Sequence, residues 1–369
     1  MYGVIRLMHE AATCFGSGIL GLGYMLINEN GSRIFKYFSF SSIGAGIMYF
    51  LIQRNRKKTV NERNVILITG CDSGLGFNMA LYCNLNLNMF VCAACLNTCS
   101  EGAQKLLDQC NPKRLLLVEL DIRKSASILH IEKTIMNLLS SDSNLEFSYL
   151  VNNAGVMCFG EFEWQTNAII EHQINVNLFG TMNFTRSFLH LARKYKTRII
   201  NVTSHCAIEA LPGLATYAAT KAALRFWSDA LRVEMKKYGV DVVNFIPGSQ
   251  FMNTSIVSRQ KQYASEMLAA FTDEQLEFYG DYFERYNKYL SYIPNHSVQV
   301  ISDSNLFNEF GNTILDYTPR AIYKCEPIKL VYLYENYSYN FLTNYFACIL
   351  DIPSTTFYLN TVLSFCVIC

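Results

Sequence analysis

Val65-Ile66-Leu67-Ile68-Thr69-Gly70-Cys71-Asp72-Ser73-Gly74-Leu75-Gly76 is the stretch from which the rest of the chain is read. Its first four residues form a short apolar run, the mark of a parallel strand buried on both faces. The run passes directly into a glycine-rich turn. Gly70, Gly74 and Gly76 permit a tight bend, and they let the N–H groups around Cys71, Ser73 and Leu75 approach a ligand. Residues 77–83 continue in a helical pattern, and that helix would offer its positive N-terminal end to the same point. A strand, a glycine turn and a helix in this order point to a dinucleotide pyrophosphate.

Further along, Tyr149-Leu150-Val151 leads into Asn152-Asn153-Ala154-Gly155, a second strand end with small residues. Asn177, Ser204, Tyr217-Ala218-Ala219-Thr220-Lys221 and Pro247-Gly248 follow in order. A tyrosine and a lysine four apart on a helix lie on one face and reach one small volume. Free tyrosine titrates near ~10, too high for efficient acid/base work at neutral pH. A cationic lysine beside it favours the phenolate and lowers that value. Ser204 can hydrogen-bond the oxygen whose proton is moving. Taken alone, Tyr-x-x-x-Lys describes many amphipathic helices; the company of the other motifs gives it chemical weight.

Apolar runs at residues 65–69, 90–94, 115–120, 147–151, 198–202, 241–246 and 320–324 read as strands separated by helical patterns. That alternation predicts an α/β fold, a doubly wound parallel sheet. Right-handed crossovers place the strand ends along one edge. The glycine loop, Asp121, Asn153, Ser204 and Pro247 all fall at such ends, which converges them on a single site.

The ordered set Thr-Gly-x-x-x-Gly-x-Gly, Asn-Asn-Ala-Gly, Asn177, Ser204, Tyr217, Lys221 and Pro247-Gly248 resembles the short-chain dehydrogenase/reductase family over residues 62–325. The Thr-Gly-Cys-Asp-Ser-Gly loop is similar to the branch holding retinol, 17β-hydroxysteroid and D-3-hydroxybutyrate dehydrogenases. The resemblance implies a Rossmann fold and an oxidoreductase that interconverts a secondary alcohol and a ketone. It implies Tyr217 as general acid/base, Lys221 on the nicotinamide ribose, Ser204 on the reacting oxygen and Asn177 supporting a proton-relay water. Asn175 is a rival for the last role. Cofactor contacts are implied for Gly70, Cys71, Ser73, Gly74, Leu75, Gly76, Asn153, Ala154, Gly155, Tyr217, Lys221, Pro247 and Gly248. Asp121-Ile122 is implied for adenine, and Thr254 stands two residues later than the common family threonine. Asp72, with no basic residue after the second strand, favours NAD over NADP. A homodimer through helices around residues 181–194 and 215–237 is also implied.

A chain of 369 residues with net charge +1 shows no nucleic-acid footprint. Its thirteen cysteines lack metal-like pairing, and Cys92 and Cys95 have no second pair, so no metal is expected. Residues 1–60 read as an apolar membrane anchor, with runs at 11–27 and 34–52 before the basic cluster Arg54, Arg56, Lys57 and Lys58. That pattern predicts a membrane partner and an endoplasmic reticulum membrane location with a cytosolic catalytic domain, the alternative being a mitochondrial membrane. Residues 61–325 form the dehydrogenase domain. Within it, 258–296 is a helical lid whose aromatic residues either pack on the core or wall a hydrophobic substrate. Residues 326–369 form an apolar extension, with runs at 341–349 and 357–368. A hydrophobic steroid-, sterol- or retinoid-like substrate is expected, with a small hydroxy acid held by Arg259 or Lys261, or a non-catalytic nucleotide-binding scaffold, as alternatives.

Overall fold

Each apolar run forms a strand: β1 Asn64–Thr69, β2 Phe90–Cys95, β3 Leu115–Glu119, β4 Glu146–Asn152, β5 Arg198–Val202, β6 Val242–Ile246 and β7 Ile322–Lys324. The structure is a computed structural model that describes residues 56–248, 254, 256–292 and 298–325. Val65 to Ile68 have no exposed surface, because helices cover both faces of the sheet. The crossovers are α1 Gly74–Leu85, α2 Glu101–Gln109, α3 Ser125–Ser141, α4 Asn167–Ile174, α5 Thr181–Tyr195 and α6 Ala215–Lys236. Three further helices follow, α7 Gln260–Ala269, α8 Asp273–Leu290 and α9 Ser304–Leu315.

All neighbouring strands are parallel, in the order β3-β2-β1-β4-β5-β6-β7. The order reverses between β1 and β4, and ligands of such sheets bind outside the strand ends at that reversal. Thr69 ends β1 there. Its Oγ1 accepts the N–H groups of Asn153 and Ala154, both at 3.0 Å, which ties the first glycine loop to the Asn-Asn-Ala-Gly loop.

Helical spacing explains the packing. Ile128, Ile131, Ile135 and Leu139 recur on one face of α3, and Phe184, Phe188 and Leu191 on one face of α5. Both faces bury against Leu67, Leu150 and Ile199 of the sheet. Phe188 sits 4.9 Å from Phe184 and 5.6 Å from Phe147 between ring centroids. A buried polar thread runs through this core. Asn152 Nδ2 donates to Thr185 Oγ1 (2.8 Å) and Asn201 Oδ1 (2.7 Å), and Asn201 Nδ2 donates to Ser228 Oγ (2.7 Å). It locks β4 and β5 to α5 and α6, the elements that carry the site.

The chain separates into two compact units, Met1–Thr59 with Leu315–Pro319, and Val60–Ile314 with Arg320–Cys369. In the described part of the first, Lys57 and Asp316 form an antiparallel bridge and an ion pair, and the Arg56 guanidinium lies 4.3 Å from the Tyr317 ring centroid.

The membrane expectations are corrected. Among the described residues no helix is long and apolar enough to cross a membrane. The longest, α6 with 22 residues, carries Lys221, Arg225, Asp229, Arg232, Glu234 and Lys236. Over the described residues the fold therefore stands as the α/β sheet with no membrane-crossing helix, and the membrane partner and the endoplasmic reticulum or mitochondrial membrane location are not supported. The runs on which they rested, residues 11–27, 34–52, 341–349 and 357–368, lie outside the described residues. Within the segment expected as a helical lid, the described residues form two helices, α7 and α8. Thr272 starts α8 with a capping box, its Oγ1 accepting from Gln275 N while Gln275 Oε1 accepts from Thr272 N. A residue in extended conformation cannot continue α7, so the two helices are separate.

Candidate active site

The glycine loop has the shape its sequence calls for. Gly70 and Gly74 adopt φ of 72° and 56°, where a side chain is strained. A Cβ on Gly76 would stand 2.0 Å from Gly70 O, and one on Gly74 would stand 2.9 Å from Thr254 Cβ. The loop is thus folded back on itself with the first turn of α1 at its rim. Ser73 is the N-cap, its side chain makes no capping bond, and a helix N-terminus of this kind offers N–H donors to an anion. This cradle fits the diphosphate of a dinucleotide.

Asp72 leaves the loop sideways. Its carboxylate accepts Leu96 N (2.8 Å) and Asn97 N (2.9 Å), just past β2. Gly102 lets α2 approach closely, since a Cβ there would meet Asp72 O at 2.0 Å. Past β3, Asp121 accepts a two-point bond from Arg123, Nε to Oδ1 at 2.9 Å and Nη2 to Oδ2 at 2.8 Å. That bond pulls the Asp121 pKa down to about 2 despite burial.

Ser204 caps a short turn after β5, accepting Cys206 N at 3.2 Å. Tyr217 and Lys221 occupy successive turns of α6 and are 6% and 4% exposed, so both are buried at the cavity wall. Lys221 Nζ donates to Val202 O at 3.0 Å and lies 5.9 Å from the Tyr217 ring centroid. Burial brings the Lys221 pKa down to about 8. Burial also pushes the Tyr217 phenol up, helped by Cys206 and opposed by a hydrogen bond with Ser204. The phenol thus stands above its ordinary value rather than below it, and the Lys221 ammonium bonds a backbone carbonyl.

Asn177 and its rival Asn175 separate cleanly. Asn175 is exposed, whereas Asn177 is fully buried. Asn177 Oδ1 accepts Val156 N (2.8 Å), and its Nδ2 donates to Val156 O (2.9 Å) and Thr220 Oγ1 (3.1 Å). It does so from a π-helical turn, Asn175–Gly180, inserted between α4 and α5. Such a bulge rotates a side chain out of the helical series. Gly155 lets Asn177 and Lys221 draw together, since a Cβ on it would stand 3.3 Å from Asn177 Oδ1 and 3.4 Å from Lys221 Nζ.

One cavity of about 400 Å³ joins these parts. The glycine loop, Asp121, Ile122, Asn153–Gly155, Ser204, Tyr217, Lys221, Pro247, Gly248 and Thr254 all line it. Of the expected cofactor residues, Cys71 and Gly76 do not; Cys71 points inward, its thiol donating to Ile68 O at 3.2 Å. The aromatic residues of α8 do not line it either. Phe271, Tyr279, Tyr282, Phe283 and Tyr286 surround Trp164, with centroids 5.2 to 6.5 Å from it. The apolar wall comes instead from Met157, Phe159, Leu211, Leu214, Ile256 and Tyr263. Sequence reading missed Tyr263, His172, Arg123 and Cys206 in this lining. Only Cys206, two residues after Ser204, carried a positional signal.

A model of the family described as short chain dehydrogenase matches residues 64–263. The mitochondrial D-beta-hydroxybutyrate dehydrogenase of Mus musculus is 36% identical over 197 residues, covering 53% of this chain and 57% of that protein. The 17-beta-hydroxysteroid dehydrogenase type 2 of Homo sapiens is 31% identical over 298 residues, covering 79% and 74%. Retinol dehydrogenase 7 of Mus musculus is 30% identical over 288 residues, covering 76% and 86%. The chain thus spans little more than half the length of the first of these relatives.

Proposed function

The chain belongs to the short-chain dehydrogenase family, and from that premise we propose an NAD-dependent enzyme that interconverts a secondary alcohol and a ketone on a hydrophobic steroid-, sterol- or retinoid-like substrate. The observation that carries this reading is the convergence of the glycine loop with Ser204, Tyr217 and Lys221 in one cavity. NAD supplies or accepts the hydride when bound. The loop Gly70–Gly76, with Asp121-Ile122, Asn153-Ala154-Gly155, Pro247-Gly248 and Thr254, would hold it.

Tyr217 moves the proton. With burial holding its pKa up, it is a phenol at neutral pH, the form that protonates a carbonyl oxygen. The oxidative direction needs the phenolate and gains as pH rises. Ser204 holds the reacting oxygen beside that phenol. Lys221 keeps a positive charge below pH 8 and is the residue proposed to meet the ribose hydroxyls. Asn177 fixes the 156 backbone and, through Thr220, the turn of α6 that bears Tyr217. Asp72 supports NAD over NADP, because its carboxylate stands at the end of β2 and would repel a 2′-phosphate.

The apolar wall around Ser204 supports a lipid substrate. Asn244-Phe245-Ile246-Pro247-Gly248-Ser249 and Asp281-Tyr282-Phe283-Glu284-Arg285-Tyr286 resemble the insect protein shroud, and a place in ecdysteroid synthesis is part of this proposal. A second reading, a D-3-hydroxybutyrate dehydrogenase-like enzyme, is favoured by the relative from Mus musculus and by Arg259 at the cavity. A turnover screen of hydroxysteroids, hydroxysterols, retinol and 3-hydroxybutyrate with NAD and NADP decides. The expected outcome is turnover of a ring-system alcohol with NAD. Turnover of 3-hydroxybutyrate alone selects the second reading. NADH binding without turnover of any alcohol leaves only a nucleotide-binding scaffold.

A further inference from the structure

Tyr263 of α7 is 2% exposed and lines the cavity, yet its hydroxyl is buried with no hydrogen-bond partner. A buried polar group left unpaired is destabilising and calls for a partner, such as an ordered water, an ion or a ligand. Arg259 and Arg123 bring positive charge near it, opposed by Glu266 of the same helix. The Arg259 guanidinium lies 5.1 Å from the Tyr263 ring centroid. Its Nε donates to Gln262 Oε1 at 3.3 Å, and its Nη1 meets His172 Nε2 at 3.2 Å. Both partners are neutral: an imidazole nitrogen that accepts from a guanidinium has no proton of its own. Burial and the charges of Arg259 and Arg123 hold the His172 pKa down accordingly. Among the described residues no carboxylate pairs with Arg259. Arg123, bonded to Asp121, and His172 line the same cavity.

The position of Arg259 is fixed by its neighbour. The Gln260 carboxamide grips the Phe159 backbone from both sides, accepting its N–H at 2.9 Å and donating to its carbonyl at 2.7 Å. A guanidinium without an acid is therefore held against an unpartnered phenol on a cavity wall.

We propose that Tyr263, Arg259 and His172, with Arg123 behind them, form a subsite for an oxyanion: a sulfate, phosphate or carboxylate. The diphosphate of a dinucleotide already has the first turn of α1 to bind it, so the spare cation fits an anionic group carried by the substrate away from its reacting alcohol. This rests on the dehydrogenase reading above and narrows its substrate class to conjugated or acidic lipid alcohols.

Equilibrium dialysis of labelled estradiol and estradiol 3-sulfate against the full chain with NADH tests it, both steroids carrying the same free alcohol. The sulfate is expected to bind about tenfold tighter, as charge-assisted hydrogen bonds allow. Arg259→Gln should erase the gap, Tyr263→Phe should narrow it, and added salt should shrink it in the parent protein. If Arg259→Gln instead weakens NADH about tenfold with no sulfate preference in the parent, the subsite stands and its oxyanion is the cofactor diphosphate. Equal steroid affinities with unchanged NADH binding in Arg259→Gln would overturn the proposal, as would a sulfate preference that survives that substitution. Turnover of free estradiol and the other neutral alcohols is read separately. If no alcohol turns over while the sulfate preference holds, the dehydrogenase reading fails and the subsite does not.

Discussion

At the carboxyl edge of the sheet, side chains are held by hydrogen bonds to the main chain; outside the cavity lining, α8 is held by rings. Thr69, Asn153, Asn177 and Lys221 each bond to a backbone N–H or carbonyl of a loop at a strand end. The lid instead rests on Trp164 and five aromatic partners, with Tyr282 and Tyr279 donating to Glu161 and Glu163, both at 2.7 Å. Directional bonds fix atoms to tenths of an ångström, as proton transfer requires. Ring packing fills a large apolar volume, and here it anchors α8 on Trp164 rather than lining the cavity. The floor thus positions the candidate site residues, and the Trp164 cluster steadies the α8 part of the lid segment.

The sharpest way to break this contrast is Lys221→Met. Activity should fall about 10³-fold, within the range for loss of acid–base machinery, while the fold survives. The sign of the stability change follows from burial. Lys221 titrates at about 8 in the folded chain against 10.5 ordinarily, so the unfolded chain binds the proton more tightly. Stability then climbs as pH rises from 8 to 10.5, and a methionine removes that dependence. Thermal melts from pH 7 to 10.5 should show a level or higher Tm for the variant at pH 7 and no rise above pH 8. The converse is Trp164→Ala in the ring cluster. It should cost about 3–5 kcal/mol of stability by denaturant melt and lower kcat far less than Lys221→Met does.

A smaller effect probes the joint between the two regions. Asp121 is held at about 2 against 3.8, chiefly by its bond to Arg123. Its contribution is complete above pH 3.8 and is lost as pH falls toward 2. With solvent screening this amounts to about 1 kcal/mol. Arg123→Gln should flatten that acid limb in melts at pH 2 to 5 without changing stability at pH 7 by more than the same amount.

The floor was legible in the sequence and the lid was not, for reasons that lie in these same bonds. Glycines at positive φ, a Tyr and Lys four apart and Ser204 at a strand end are local patterns, and local patterns survive as strings of letters. The inner strands were visible because burial on both faces demands continuous apolar runs, whereas the edge strands β3 and β7 are only partly buried. The π turn that buries Asn177 leaves no such trace, since Asn175-Val176-Asn177 reads as ordinary helix. Trp164 collects residues more than a hundred positions away, and nothing in Phe271 to Tyr286 says whether rings face a cavity or one another. Tyr263 looked like any helical aromatic; only its buried, unpaired hydroxyl sets it apart.

The central claim is that Tyr217 transfers the proton in a cleft whose cofactor loop works independently of it. Tyr217→Phe removes one oxygen and leaves Gly70–Gly76 untouched, so NADH affinity and turnover should be measured together on that variant. NADH should bind within about twofold of the parent while alcohol turnover falls at least ~10³-fold. Undiminished turnover in Tyr217→Phe would contradict the account.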